Sequence, residues 1–184
     1  MKKIVTIAAL LTATTLATAA SITVEGQIQN GDRGARDSDN YALSVQQSLN
    51  KTFAADVGVT TFQEDGTKAL SNRLEVGLTG TRSVGPVNLY TRVAVGEKFS
   101  NGADFGYYSV EPGVEYNFTN KLSGKVGYRF RNGFGTNGNL DTTNTTRAGV
   151  SYAVTKQDAV GVRYDQVRGD SFNHSFNFAY TRSF

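Results

Sequence analysis

The last ten residues, Ser175–Phe184, read at every second position, place Phe176, Phe178, Tyr180, Arg182 and Phe184 on one face. Ser175, Asn177, Ala179, Thr181 and Ser183 occupy the other. A period of two is the signature of a β-strand, whose successive side chains point to opposite sides of the pleat. Ten stretches of the chain share this alternation, and none after residue 20 shows a helical period. Large apolar residues against small polar ones suit a closed sheet with hydrocarbon outside and water within. Only helices and closed barrels cross a bilayer without leaving unpaired peptide groups, so the pattern predicts an all-β, single-chain, antiparallel up-and-down transmembrane barrel. About ten strands are expected, within a range of eight to twelve.

The first twenty residues stand apart. Lys2 and Lys3 precede an apolar run, Ile4–Leu11 with Leu16, and Ala17–Ala20 offers small residues for cleavage. This is the layout of a secretory signal peptide, and the run is too short and too rich in Thr to anchor as a spanning helix. The expected organisation is therefore a cleaved leader over 1–20 and one barrel domain over 21–184. Loss of the two lysines leaves 17 basic residues against 16 acidic, so the basic pI gives no support to a nucleic-acid partner. The absence of cysteine removes disulfides and thiolate metal sites. Nothing in the sequence implies a cofactor.

The outward register can be followed strand by strand. Ile22, Val24 and Ile28 open it, Leu74, Val76 and Leu78 mark the fourth strand, and Val160, Val162 and Tyr164 the ninth. Connections after even strands read as short (Asn50-Lys51, Arg82–Gly85, Thr119-Asn120, Thr155–Gln157). Those after odd strands read as longer and rich in Gly, Asn and Asp, as in Asn30–Asn40, Glu64–Ser71 and Asn132–Asn144. Short periplasmic turns alternating with long external loops characterise bacterial barrels. A soluble β-sandwich has no reason to sort its loops by length onto opposite ends. Pro86 falls at a turn, while Pro112 lies on an outward strand position, where a lost ladder bond predicts a bulge or kink.

The segment Tyr116–Phe130, Tyr-Asn-Phe-Thr-Asn-Lys-Leu-Ser-Gly-Lys-Val-Gly-Tyr-Arg-Phe, resembles the hairpins of small Gram-negative outer-membrane β-barrels, and Ser151–Val160 repeats its manner. Phe184, with Phe176, Phe178 and Tyr180, resembles the C-terminal assembly signal of that porin-like superfamily, although Arg182 stands where an apolar residue is usual. The resemblance implies outer-membrane localisation, lipid contact, and passage by way of periplasmic chaperones and the barrel-insertion machinery. It also resembles, loosely, porins with basic lumens for acidic oligosaccharides.

Chemistry-bearing constellations are few. Asp170, Ser171 and His174 share one loop, but three such residues so close in sequence are ordinary loop composition, and catalysis is not expected. Gly133–Gly138 matches a dinucleotide-binding pattern by letter, without the helix that would hold a pyrophosphate. Asp32, Asp37 and Asp39 lie with Arg33 and Arg36, which favours a solvated loop over a calcium site.

The inward positions are the informative ones. Arg73, Arg92, Lys125, Arg129, Arg131, Arg147 and Arg163 face Glu25, Asp56, Glu75, Glu111, Glu115 and Asp165. An Arg on the lipid face at the bilayer midplane costs about 2–4 kcal/mol, so these charges belong inside. Two readings follow. One is a narrow passive channel, monomeric, whose basic wall suits small anionic solutes. The other is a barrel plugged by salt bridges, without transport, whose loops bind other molecules. On the assembly reading, Phe184→Ala slows insertion more than Phe178→Ala, and pulse-chase of the heat-resistant folded band measures the difference.

Overall fold

In a computed structural model, residues 20–31, 37–64, 70–99, 104–134 and 142–184 are described. Residues 1–19 of the leader, Asp32, Arg33, Arg36 and Gly135–Gly138 lie outside them. Ten strands follow one another in chain order: β1 Ala20–Gly31, β2 Ser38–Ser48, β3 Phe53–Glu64, β4 Leu70–Val84, β5 Val87–Phe99, β6 Phe105–Asn117, β7 Leu122–Phe134, β8 Thr143–Ala153, β9 Asp158–Gly169 and β10 Asn173–Ser183. Each pairs antiparallel with its neighbours, and β10 returns to β1 to close the barrel. Strands of 11–15 residues exceed the roughly 9–11 needed to cross the hydrocarbon at a tilt near 45°.

Every pair keeps one register from end to end. The step from strand to strand returns to β1 displaced by twelve positions. For ten strands about 4.8 Å apart, that stagger gives a tilt near 40° and a backbone radius of roughly 10 Å. The expected bulge at Pro112 does not form. Thr91↔Pro112 stays in register with β5, and on the β7 side Val110↔Phe130 and Gly113↔Gly127 obey one register across the proline. Losing one donor interrupts the ladder there without inserting a residue.

The barrel is inside out by the standards of a protein in water. Its buried residues include Asn40, Ser109, Glu111, Arg129, Thr143, Thr145, Asp165, Ser175 and Asn177, while Val24, Val76, Val93, Val126, Val150, Val162 and Phe178 are exposed. Soluble domains bury the second group and expose charges such as those in the first. Aromatic residues gather toward both rims. Tyr116 and Phe118 stack edge-on at 5.1 Å near the short-turn end, and Tyr164 packs on Phe176 at 5.3 Å toward the other. Such belts suit the two interfaces of a bilayer.

The loops correct the expectation in detail. β4 and β5 are joined by Gly85-Pro86 alone, with Gly85 at φ +60°, the conformation a two-residue type II′ hairpin requires at its first position. The long connections shrink because strands run further than the alternation alone marks: β1 continues to Gly31 and β8 starts at Thr143. The last connection, Asp170–Phe172, is shorter than three of the four turns at the opposite end. Asp170 closes it by accepting the Thr142 amide at 2.7 Å, so its carboxylate is a loop clamp.

Closure rests on β1 and β10, where Thr23 Oγ1 and Thr181 Oγ1 meet at 2.8 Å on the lumenal face. Cysteines at these two positions should form a disulfide in the folded barrel on mild oxidation, read as a shift in gel mobility. Thr23→Cys with Asn177→Cys, two rungs out of register, should not.

Candidate functional site

All thirteen charged residues named for the lumen occupy inward positions set by the alternation within each strand: Arg73, Arg92, Glu111, Glu115, Lys125, Arg129, Arg131, Arg147 and Arg163 on β4–β9, with Glu25 on β1, Asp56 on β3, Glu75 on β4 and Asp165 on β9. Their pairing is organised by the barrel's stagger. Arg92 sits directly opposite Glu111 on β6, yet its guanidinium turns the other way. It forks onto Asp56 of β3, Nε to Oδ1 at 3.0 Å and Nη2 to Oδ2 at 2.5 Å, and Nη1 reaches Glu75 of β4 at 2.6 Å. Glu111 is taken instead by Arg147 from β8, at 2.6 Å, across the intervening strand. Arg147 also lies 3.7 Å from Asp165, which binds Arg163 at 2.8 Å, and Arg163 continues to Glu25 of β1 at 2.9 Å.

Two chains of charge result: Asp56–Arg92–Glu75, and Glu111–Arg147–Asp165–Arg163–Glu25. Tyr107 donates to Glu75 at 2.8 Å and Tyr90 to Glu111 at 3.3 Å, so the carboxylates are held by neutral donors as well. Among the described residues, each of these ion pairs and hydrogen bonds joins strands no more than two apart around the barrel. The charges are bound along the wall. A pair across the diameter would have to link strands about five apart.

The inward aromatics were not singled out by the sequence reading, although a signal was present. Tyr90 stands in register with Gly113, and Gly113 with Gly127, so the ring lies flat over two strands that carry no side chain there. A Cβ at either glycine would collide with Tyr90. Tyr107, fully buried, occupies the same relation to Gly96, and Arg92 lies against Gly77. A large residue beside an inward glycine at matching register is the legible sign of a side chain laid against the wall. Basic groups then rest on these rings: Lys125 Nζ is 4.0 Å from the Tyr90 centroid, and Arg131 lies 5.3 Å from that of Tyr107. Arg73 covers Phe62 at 5.0 Å and reaches Thr60 at 3.3 Å.

Arg129 does not hold Glu111 or Glu115: it makes no hydrogen bond or ion pair with any described residue, although only 7% of it is exposed. Glu115 lies opposite Lys125 in the β6–β7 register and forms no ion pair within 4 Å among the described residues. Of the other constellations, His174 projects outward beside Tyr164 and within 3.5 Å of Asn30, while Asp170 serves the loop. Gly133 and Phe134 are strand residues, and Asp37 accepts the Gly31 amide at 2.9 Å. Phe176, Phe178, Tyr180 and Phe184 line the outer face of β10, and Arg182 is seated there by Asp158, 3.4 Å away, which also takes the Tyr180 hydroxyl at 2.6 Å.

An antiparallel barrel with lipid-type side chains outside and a charged, glycine-relieved lumen inside defines a transmembrane β-barrel protein. No protein-family model matches the sequence, and no curated protein matches it. Among solved structures, the chain is similar to an outer-membrane channel from Pseudomonas putida F1, with a TM-score of 0.62 and 11% identity over 91% of this chain and 96% of that one. It is similar also to the KdgM porin in complex with disordered oligogalacturonate (0.50, 16% identity, 89% and 99%). A third is the translocator domain of autotransporter NalP from Neisseria meningitidis (0.50, 9%, 100% and 94%). Identities this low carry the fold alone. The chain has the fold of the outer-membrane β-barrel porins and channels.

Removing Arg147 strands Glu111 and loosens Asp165. A dry buried pair broken on one side costs about 3–5 kcal/mol, and water in the lumen reduces this, so Arg147→Ala should cost about 2 kcal/mol. The readout is a lower temperature for the folded-to-unfolded band shift in detergent. Glu111→Gln in the same background should recover part of the loss, giving non-additive effects in a double-mutant cycle.

Proposed function

We propose that this protein is a narrow passive channel of the Gram-negative outer membrane that favours small anionic solutes. The observation that carries the reading is the course of the ion pairs. They run along the wall between near strands, and side chains in them keep contact with the lumen: 33% of Arg163, 19% of Arg92 and 11% of Asp56 are exposed. Flattening Arg92, Tyr90 and Tyr107 onto inward glycines leaves the axis clearer than upright side chains would. A plug needs contacts across the diameter, and among the described residues the ion pairs make none.

Preference for anions rests on the bookkeeping of charge. Arg92, Arg147 and Arg163 share five carboxylates, whereas Arg73, Lys125 and Arg129 have none within 4 Å among the described residues, and the seven basic against six acidic inward residues named above leave one net positive charge. Fixed positive charge in a narrow, low-dielectric passage raises the local concentration of anions and is screened by salt over about 10 Å at 0.1 M. Arg73, Arg92, Glu111, Glu115, Lys125, Arg129, Arg131, Arg147 and Arg163 then serve as the pore lining. Residues 1–20 serve as the cleaved leader, Phe176, Phe178, Tyr180 and Phe184 as the assembly signal, and the barrel works as a monomer.

Protein purified from the outer-membrane fraction and placed in planar bilayers should conduct in small unitary steps, with a reversal potential in a salt gradient that favours anions. Lys125→Glu should shift that potential toward cations, and Arg129→Glu with Arg147→Glu should shift it further. Absence of conductance from folded barrels refutes the channel and leaves the same charges as a structural brace.

A further inference from the structure

Arg129 is a buried guanidinium without a protein acceptor, and burying a charge unpaired is unfavourable enough that some counter-group is required. The charges acting on it are mostly of its own sign, Arg147, Arg73 and Arg131, opposed by Glu75. Neither carboxylate in reach is idle. Glu75 receives Arg92 at 2.6 Å and Tyr107 at 2.8 Å, and Glu111 receives Arg147 at 2.6 Å and Tyr90 at 3.3 Å.

The inner faces of β7 and β8 around this residue share one chemistry. Arg129 stands opposite Thr145, Arg131 opposite Thr143, and Arg147 one rung further along β8. The Nε of Arg129 and the hydroxyls of Thr143 and Thr145 are buried without a hydrogen-bond partner, and the Nε of Arg147 has only Asp165 Oδ2, 3.7 Å away. Each of these four groups can donate a hydrogen bond. Orphan acceptors occur elsewhere, on Asn173 and Asn177 of β10 and on Asn40 of β2, but β8 is separated from β10 by β9. Threonine hydroxyls both donate and accept, so the excess of donors here comes from the Arg129 guanidinium, and an anion with several acceptor oxygens can take that fork and both hydroxyls at once.

We propose that Arg129, Arg147, Thr143 and Thr145 form a saturable lumenal binding site for a compact oxyanion of the phosphate type. This rests on the channel reading only insofar as a solute must reach the lumen. The planar fork of a guanidinium and the single-point donation of two hydroxyls together favour an oxyanion over chloride, which offers no separate oxygens to share among them.

Inorganic phosphate is the probe, titrated calorimetrically into the purified mature barrel in detergent and added separately to barrels in planar bilayers, with chloride salt throughout. Saturable one-to-one binding and concentration-dependent interruption of the chloride current are expected. Arg129→Lys keeps the charge but loses the fork, and it should weaken phosphate roughly tenfold, the loss of one to two charge-assisted hydrogen bonds. Thr145→Val should weaken it several-fold, with the heat-modified gel shift verifying that both variants fold. Binding without any conductance upholds the site and refutes the channel. Conductance without phosphate binding or block refutes the site and leaves the channel standing. Equal binding by wild type and both variants refutes the assignment to these residues.

Discussion

Hydrocarbon offers no hydrogen bonds, and that single deficit governs this molecule. Each unpaired peptide group in a bilayer costs several kcal/mol, so a strand can cross only if both its edges are bonded. The pairing of Ser21–Gly31 with Asn173–Ser183 removes the last two edges. Closure in turn fixes which side of every strand meets lipid, because parity within a strand cannot change without a bulge. The polar half of each strand is thereby confined to a lumen roughly 10 Å in backbone radius, where its charges must find one another.

Confinement explains why the lumen looks as it does. Long side chains pointing at the axis from ten strands would collide, and the chain avoids this by laying Tyr90, Tyr107 and Arg92 over Gly113, Gly127, Gly96 and Gly77. Glycine is a poor strand residue in itself, so its presence at these inward positions marks a close approach. The same geometry lets Arg147 pass over β7 to reach Glu111, since Gly127, the residue opposite Arg147, has no side chain to block it. Wall-bound ion pairs and aromatic rings thus depend on one device.

Much of the fold was legible in the alternation, because lipid on one side and water on the other impose a contrast that needs no tertiary knowledge. Strand number, closure, and the outward placement of residues such as Val93, Val126 and Phe178 follow from it. Partner choice in the lumen did not. Arg92 and Glu111 stand directly opposite each other, but the guanidinium is long enough to select among three strands. Which carboxylate it selects depends on the twelve-position stagger, a property of the whole circuit. Arg129 shows the same limit from the other side: its inward direction was readable and its lack of a protein acceptor was not. Pro112 misled for a different reason, since an outward proline forfeits a bond without obliging the chain to add a residue.

That β1 and β10 are partners has a temporal meaning. The first strand to be made cannot acquire its second neighbour until the tenth has been made, so the barrel cannot close earlier. Contacts such as Ser21↔Ser183 join the two ends of the strand order, and non-local pairing of this kind is slow to form. Throughout that interval two strand edges stand open and adhesive, together with a face of valine, leucine and phenylalanine. Shielding those edges until the tenth strand arrives is therefore a physical demand of the closed topology.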